Sequence, residues 1–278
     1  MTSIREALLH ATETLRASSP TPDIDAVYLL SEVLTTNSAW LLLHAEMMLS
    51  VDAEAKFNTW VSRRQQGIPV AYLTESRGFW TLDLYVNEEV LIPRPETELL
   101  VELALKYLDR DQVCNIADLG TGSGAIALSL AAECPQWHID AIDISEAALA
   151  VAQRNAENYK LNQVNFYQGS WCQALPRHDY DALISNPPYL AEHDAHLQGT
   201  DLSYEPKTAL VAGPTGLEAY ASIIGNANNH LKPNGLLLLE HGYNQREALA
   251  QLLNQKGFKI IAEADDYQNL PRVLIARS

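Results

Sequence analysis

The chain has 278 residues and a formal net charge of −16, from 19 Lys+Arg against 35 Asp+Glu. Its 47% hydrophobic and 19% charged residues can fill a core, which excludes disorder as the dominant state. So acidic a surface repels phosphate backbones and anionic lipid, which argues against a general nucleic-acid binder. Residues 1–75 hold 5 basic and 9 acidic side chains and the rest 14 and 26, so neither part is a basic arm.

Met1 to Ala17 mixes charges with apolar residues, unlike a signal peptide. Ile4, Leu8 and Leu15, then Val27, Leu30, Val33 and Leu34, recur at helical spacing. Ser3 can cap the first helix, and Thr21 or Asp23 the second. Asp52–Gln66 is a third periodic stretch, ended by Gly67-Ile68-Pro69. Residues 1–75 are therefore expected to form a small helical domain. The period then changes to two. Phe79, Trp80, Leu82, Leu84, Val86, Val90, Leu91 and Ile92 predict two strands turning at Asn87-Glu88-Glu89. That β-hairpin, within 76–95, is expected to link the helical domain to a larger one spanning 96–278. Pro93-Arg94-Pro95-Glu96 stops the strand and opens a helix running to Tyr107.

Beyond it, strands are predicted near 113–118, 137–143, 163–167, 180–185, 235–240, 258–264 and 272–277. Helices are predicted near 123–133, 146–158, 216–230 and 244–256. This alternation means an α/β fold with a mostly parallel sheet. Only a turn fits between the last two strands, so the final strand is antiparallel. Cys114, Cys134 and Cys172 are too few and too far apart for a disulfide framework or a cysteine-built zinc site. No apolar run reaches the ~18 residues that span a bilayer. The chain reads as soluble, cytoplasmic and free of metal.

Two segments carry chemistry. Asp118-Leu119-Gly120-Thr121-Gly122-Ser123-Gly124 follows a short strand and opens a helix. Such a glycine turn lets a ligand approach the backbone, with the helix N-terminus behind it. Its spacing is G-x-G-x-G rather than the dinucleotide fingerprint G-x-G-x-x-G. Asp118 repels pyrophosphate but suits an ammonium or sulfonium. Asp143, 23 residues after Gly120, ends the next strand where a carboxylate can accept both ribose hydroxyls. Trp171, after the third strand, can flank an adenine. A ligand-free turn and a nicotinamide site are the alternatives; Asp118 and Asp143 together favour S-adenosylmethionine.

The second segment is Asn186-Pro187-Pro188-Tyr189, at the C-terminal end of a strand. Two prolines remove two backbone donors and leave acceptors, the Asn186 side chain and the backbone carbonyls. Acceptors gripping the N–H groups of a planar amide or aryl amine would aim its lone pair at an electrophilic methyl, with Tyr189 fixing the plane. Alone, the segment reads rather as a strand end with Asn186 capping a turn; the glycine turn and Asp143, expected on the same sheet edge, reverse that preference. His193 and His196 lack a third ligand partner and read as solvated loop residues.

Together these residues resemble class I S-adenosylmethionine-dependent methyltransferases of the amino-methylating branch. Leu91-Ile-Pro-Arg-Pro-Glu-Thr-Glu98, Tyr204-Glu-Pro-Lys-Thr-Ala-Leu210 and Leu239-Glu-His-Gly242 narrow the likeness. Nearly the whole chain resembles the HemK/PrmC-type release-factor glutamine N5-methyltransferases. The resemblance implies a seven-stranded sheet and methyl transfer to the glutamine of the Gly-Gly-Gln motif in bacterial class 1 release factors. Nucleic-acid N6-adenine or N2-guanine methylation is the alternative. It also implies residue roles: Gly120 to Gly124 on the methionine moiety, Asp143 on the ribose and Trp171 on the adenine. Asn186 and Pro187 would accept from the substrate amide, with Pro188 beside them and Tyr189 packed on it. Arg94 and Glu96 would contact substrate or tie the hairpin down. Glu205 would anchor the 190–214 insertion as a lid, and Glu240 and His241 would form a site edge or a plain turn. The helical domain is expected to recognise the protein substrate, and the chain to act as a monomer.

Overall fold

The structure is a computed structural model that describes residues 2–198 and 202–278. These fall into two units, residues 2–76 with 202–204, and residues 77–198 with 205–278.

Among the described residues, the first unit has five α-helices: α1 (Ile4–Leu15), α2 (Pro22–Leu34), α3 (Ser38–Leu43), α4 (Val51–Gln65) and α5 (Val70–Thr74). Ser3 and Glu6 form a capping box, each side chain accepting from the other's backbone N–H. Thr21 takes the cap position of α2, but its hydroxyl donates to Asp25 instead of capping. Helical periodicity misses α3 and α5 because six and five residues are too few to show a period. Ile4, Leu15, Leu29, Leu30, Leu41 and Phe57 fill the core. Within this unit the buried Arg64 guanidinium meets Asp25 at 2.7 Å, and Ser19 donates to the same carboxylate at 2.8 Å. Arg64 also reaches the carbonyls of Gly67 and Ile68, which fixes the turn that ends α4.

The second unit starts with a two-stranded sheet of β1 (Ser76–Phe79) and β2 (Leu82–Tyr85). Here the structure departs from expectation: the strands turn at Trp80–Thr81, not at Asn87–Glu89. Trp80 has φ +56°, a conformation that bulky residues rarely adopt, so composition does not signal it. Two carboxylates hold it, Glu98 accepting from the Trp80 backbone N–H and Glu133 from its indole N–H, both at 2.9 Å. Asn87–Glu89 does turn, with the Val90 N–H donating to the Asn87 carbonyl, but it joins no strands.

Then come α6 (Glu98–Tyr107), β3 (Asn115–Leu119), α7 (Ala125–Glu133), β4 (His138–Asp143), α8 (Glu146–Tyr159), β5 (Val164–Gln168) and β6 (Tyr180–Ser185). A short pair, β7 (Leu190–Ala191) and β8 (Val211–Gly213), brackets α9 (Lys207–Leu210). The chain continues through α10 (Glu218–Ala227), β9 (Leu231–Glu240), α11 (Arg246–Gln255), β10 (Lys259–Asp265) and β11 (Pro271–Arg277).

Seven strands form one sheet in the order β10-β11-β9-β6-β3-β4-β5. The pairs from β9 to β5 are parallel, and β11 is antiparallel to both its neighbours. The α/β fold, the mostly parallel seven-stranded sheet and its antiparallel last strand are as the sequence predicts. Leu236 to Leu239 are all buried because both sheet faces are covered. Leu236 and Leu238 pack with Ile116 and Ile184 on one face, Leu237 and Leu239 with Ala117, Leu119 and Leu183 on the other. Strand order reverses around β3, which has β4 on one side and β6 on the other. That opens a crevice at the C-terminal ends of these strands. No described helix is long and apolar enough to cross a membrane. Among the described residues, no group of three or more His, Cys, Asp or Glu is placed to hold a metal.

Candidate active site

The crevice is floored by the glycine turn. Gly120, Gly122 and Gly124 have φ of +77°, +55° and +85°, open to glycine and costly to other residues. They do different jobs. A Cβ on Gly124 would lie 2.9 Å from Leu128 Cδ1, so this glycine lets α7 pack. A Cβ on Gly120 would lie 3.0 Å from the Trp171 ring. One on Gly122 would meet nothing within 4 Å, because the cleft begins there. The Gly120 and Thr121 N–H groups donate to the Ile142 carbonyl at 2.8 and 2.9 Å, which ties the turn to β4.

Asp118 lies beneath the turn, almost fully buried. Its Oδ2 accepts from the Thr121 hydroxyl at 2.7 Å and the Ala127 N–H at 3.2 Å, while Oδ1 has no partner. Burial pushes this carboxyl up to about 7 against the pull of those hydrogen bonds. Asp143 ends β4, its oxygens accepting from the Gly122 and Ser145 N–H groups at 2.9 Å each. Burial raises its pKa too, partly offset by those N–H groups. A carboxylate has about four acceptor sites, so Asp143 keeps capacity for hydroxyl donors.

At the end of β6, Ser185 donates to the Leu119 carbonyl at 2.6 Å and holds the two strand ends together. The Asn186 side-chain nitrogen donates to Thr97 Oγ1 at 2.9 Å. That leaves the Asn186 side-chain oxygen as the acceptor of this group. The carbonyl of Tyr189 is held by the Gln245 side chain at 2.9 Å, and Gly216 packs so close that a Cβ there would lie 2.6 Å from it. Burial raises the Tyr189 phenol above its ordinary value.

Gly120, Gly122, Asp143, Trp171, Asn186 and Pro188 line one cleft of about 740 Å³, open solvent included. Thr121, Ser123 and Gly124 shape the turn from outside that lining, as Asp118 does, and Pro187 and Tyr189 continue the segment behind Asn186. Pro206, Thr208 and Ala209 of the insertion supply further wall. Their anchor is Glu205, nearly fully buried, which accepts from the Ile92 N–H at 3.1 Å and from the Arg94 guanidinium. Residues 199–201 of the expected lid lie outside the described residues, as does the side chain of His196; His193 is exposed. Glu240 is buried with its Oε2 unpartnered, and burial pushes it up to about 7. His241 is buried with its Nδ1 on the Gly242 carbonyl, and burial lowers its pKa. Sequence reasoning missed Thr97 and Gln245. Thr97 sits in a segment singled out for its family likeness, but nothing in the sequence shows that its hydroxyl faces Asn186.

Comparison with known proteins agrees with this architecture. Residues 6–74 match the family described as PrmC N-terminal domain, and residues 96–205 match methyltransferase small domain. A methyltransferase from Pyrococcus furiosus superposes with a TM-score of 0.54 at 17% identity, covering 82% of this chain and 98% of its own. The ribosomal protein L11 methylase of Lactobacillus delbrueckii subsp. bulgaricus gives 0.52 at 17%, covering 69% and 82%. Both likenesses concern the fold. The release factor glutamine methyltransferase of Escherichia coli K12 is 41% identical over 97% of each chain. That of Coxiella burnetii is 46% identical over 100% of this chain and 99% of its own. With that identity over its whole length, the chain belongs to the family of release factor glutamine methyltransferases.

Proposed function

We propose that this protein transfers a methyl group from S-adenosylmethionine to the side-chain amide nitrogen of the glutamine in the Gly-Gly-Gln motif of bacterial class 1 release factors. The observation that carries the reading is the Asn186 carboxamide. Its nitrogen is engaged by Thr97, so an acceptor oxygen remains at the cleft where the glycine turn lies. That suits an acceptor bearing N–H groups. The site also fits the donor: an open backbone at Gly122, spare acceptor capacity on Asp143, and an unpartnered Asp118 oxygen under the turn. Gly120 and Gly122 would hold the methionine part, Asp143 the ribose hydroxyls, and Trp171 the adenine.

An amide nitrogen is a weak nucleophile because its lone pair is delocalised. Asn186 Oδ1 and the Pro187 carbonyl would accept from its N–H groups and turn the lone pair toward the methyl, with Tyr189 packed on the amide plane. Bound S-adenosylmethionine supplies a sulfonium methyl, whose bonding pair leaves with sulfur as the N–C bond forms. The nitrogen then releases its extra proton to water, so no strong base is needed. Positioning and preorganised polarity supply the rate. The protein would work in the cytoplasm as a monomer, with residues 1–75 recognising the factor away from its glutamine. The net charge of −16 agrees with a protein substrate rather than a nucleic acid.

The test is transfer of radiolabelled methyl to purified release factor. Label is expected on the wild-type factor and absent when the Gly-Gly-Gln glutamine is changed. An unlabelled wild-type factor would reject the function.

A further inference from the structure

Among the described strands, β2 pairs only with β1. Two side chains of α8 take up backbone groups that a further strand would otherwise satisfy. Asn155 Oδ1 accepts from the Tyr85 N–H at 2.8 Å, and Asn155 Nδ2 donates to the Tyr85 carbonyl at 3.0 Å. One turn later, the Tyr159 hydroxyl accepts from the Asp83 N–H at 2.7 Å and donates to the Asp83 carbonyl at 2.9 Å. Four residues along a helix and two along a strand each span about 6 Å, so the two tethers keep step. The carboxamide thus offers Tyr85 a C=O and an N–H, as the peptide of a neighbouring strand would.

Asn155 does something that Tyr159 does not. Its nitrogen also donates to the Ser123 carbonyl at 2.9 Å, inside the glycine turn. The oxygen and both amide protons are then used. Asn155 is fully buried in a helix whose other buried residues are Ala148, Leu149, Val151, Ala152 and Ala156. Asparagine is favoured neither by helix propensity nor by an apolar setting, so its three hydrogen bonds are what suit it to this place. The Arg154 guanidinium, 3.4 Å above the Tyr85 ring, holds the same residue from outside. Beyond Tyr85 the chain runs to Glu89, Val90 and Leu91, which line the cleft with Gly120 and Gly122. The far end of that wall is held where the Ile92 N–H donates to Glu205.

We propose that Asn155, which lies outside the cleft lining, is a positioning residue for the methyl donor: one carboxamide fixes the wall at 89–91 against the glycine turn. Wall and turn come from segments more than thirty residues apart, and this side chain is bonded to the backbone of both. Cofactor affinity therefore depends on a residue that does not touch the cofactor. The inference rests on the donor lying along the glycine turn, as read above.

The experiment compares wild type, Asn155→Asp, Tyr159→Phe and Gly122→Ala. It reads S-adenosylhomocysteine affinity by calorimetry, KM for release factor at saturating S-adenosylmethionine, Tm, and hydrogen exchange without ligand. Asn155→Asp keeps the shape and the acceptor but has at most one proton for two carbonyls. It should weaken S-adenosylhomocysteine binding about tenfold, leave KM for release factor unchanged, and quicken exchange at both 83–91 and 120–124. Tyr159→Phe loses the other β2 tether without touching the turn. It should lower Tm and quicken exchange near Asp83, with cofactor affinity and the turn as in wild type. Asn155→Asp with wild-type affinity overturns the proposal. So does Tyr159→Phe weakening the cofactor equally, since loss of the strand tether would then account for the whole effect. Should Asn155→Asp not fold, Asn155→Ala, which leaves room for water at the freed groups, is read in the same way. Gly122→Ala separates the two ideas. If it weakens the cofactor while Asn155→Asp does not, only the positioning role fails. If it leaves the affinity intact, the placing of the donor on the turn fails, and this inference with it.

Discussion

The side-chain nitrogen of Gln245 donates to the carbonyl of Tyr189 at 2.9 Å, and to that of Gly216 at 3.2 Å. Its oxygen accepts from the Gly242 N–H at 3.0 Å. One side chain thus pins the end of the Asn-Pro-Pro-Tyr segment to the loop after β9. Gln245→Ala should lower kcat about tenfold with little change in Tm, since the contact positions rather than packs. Steady-state kinetics beside a melting curve checks this.

Asn186 and Asp143 should separate by phenotype. Asn186→Ala is expected to remove most methyl transfer and leave cofactor affinity nearly intact. Asp143→Ala should weaken cofactor binding first, because it loses the ribose acceptor and frees the Gly122 N–H. Calorimetric titration with S-adenosylhomocysteine on both variants gives the answer, and the reverse pattern would exchange their roles.

Gly122 and Gly124 should also diverge. Both need φ > 0, which costs a residue with Cβ about 1–2 kcal/mol. Gly124→Ala adds a clash with Leu128 and should lower Tm more than Gly122→Ala. Gly122→Ala intrudes only on the cleft, so its larger effect should be on cofactor affinity.

Asp118 makes a prediction about pH and stability. Burial raises its pKa from 3.8 to about 7, so the folded state holds its proton where the unfolded chain has lost it. Stability of the ligand-free protein therefore falls as pH rises from about 4 to about 7, by up to about 4 kcal/mol from this group. Asp118→Asn should remove that part of the slope, as read by denaturant unfolding at a series of pH values.

Arg94 and Glu205 join the segment before α6 to the start of the cleft-lining stretch 206–209. Among the described residues, Arg94→Ala leaves a buried carboxylate with only the Ile92 N–H. Because Arg94 is about one-third exposed, the expected loss is about 1–3 kcal/mol, below that for a fully buried pair. Hydrogen exchange should quicken at 205–210 while the strands of the main sheet stay protected.

The sheet was legible because each of its strands repeats apolar residues and the helices between are long enough to show a period. The hairpin was not, because Trp80 turns against its own preference and is held there by Glu98 and Glu133, neither adjacent in sequence. The same applies within the site. Glycine spacing, Asp143 and Asn186 announce themselves locally and meet in one cleft. Thr97 and Gln245 act through partners tens of residues away, and a threonine at a helix start reads as an ordinary cap.

Strand β11 lies between β9 and β10, so β10 has no other neighbour in the sheet. A chain cut ahead of residue 271 would lose the strand that β9 and β10 both pair with, leaving β9 an unpaired edge and β10 without a partner in the sheet. Removing one short terminal segment would thus expose two templates for pairing with other chains, a liability for aggregation.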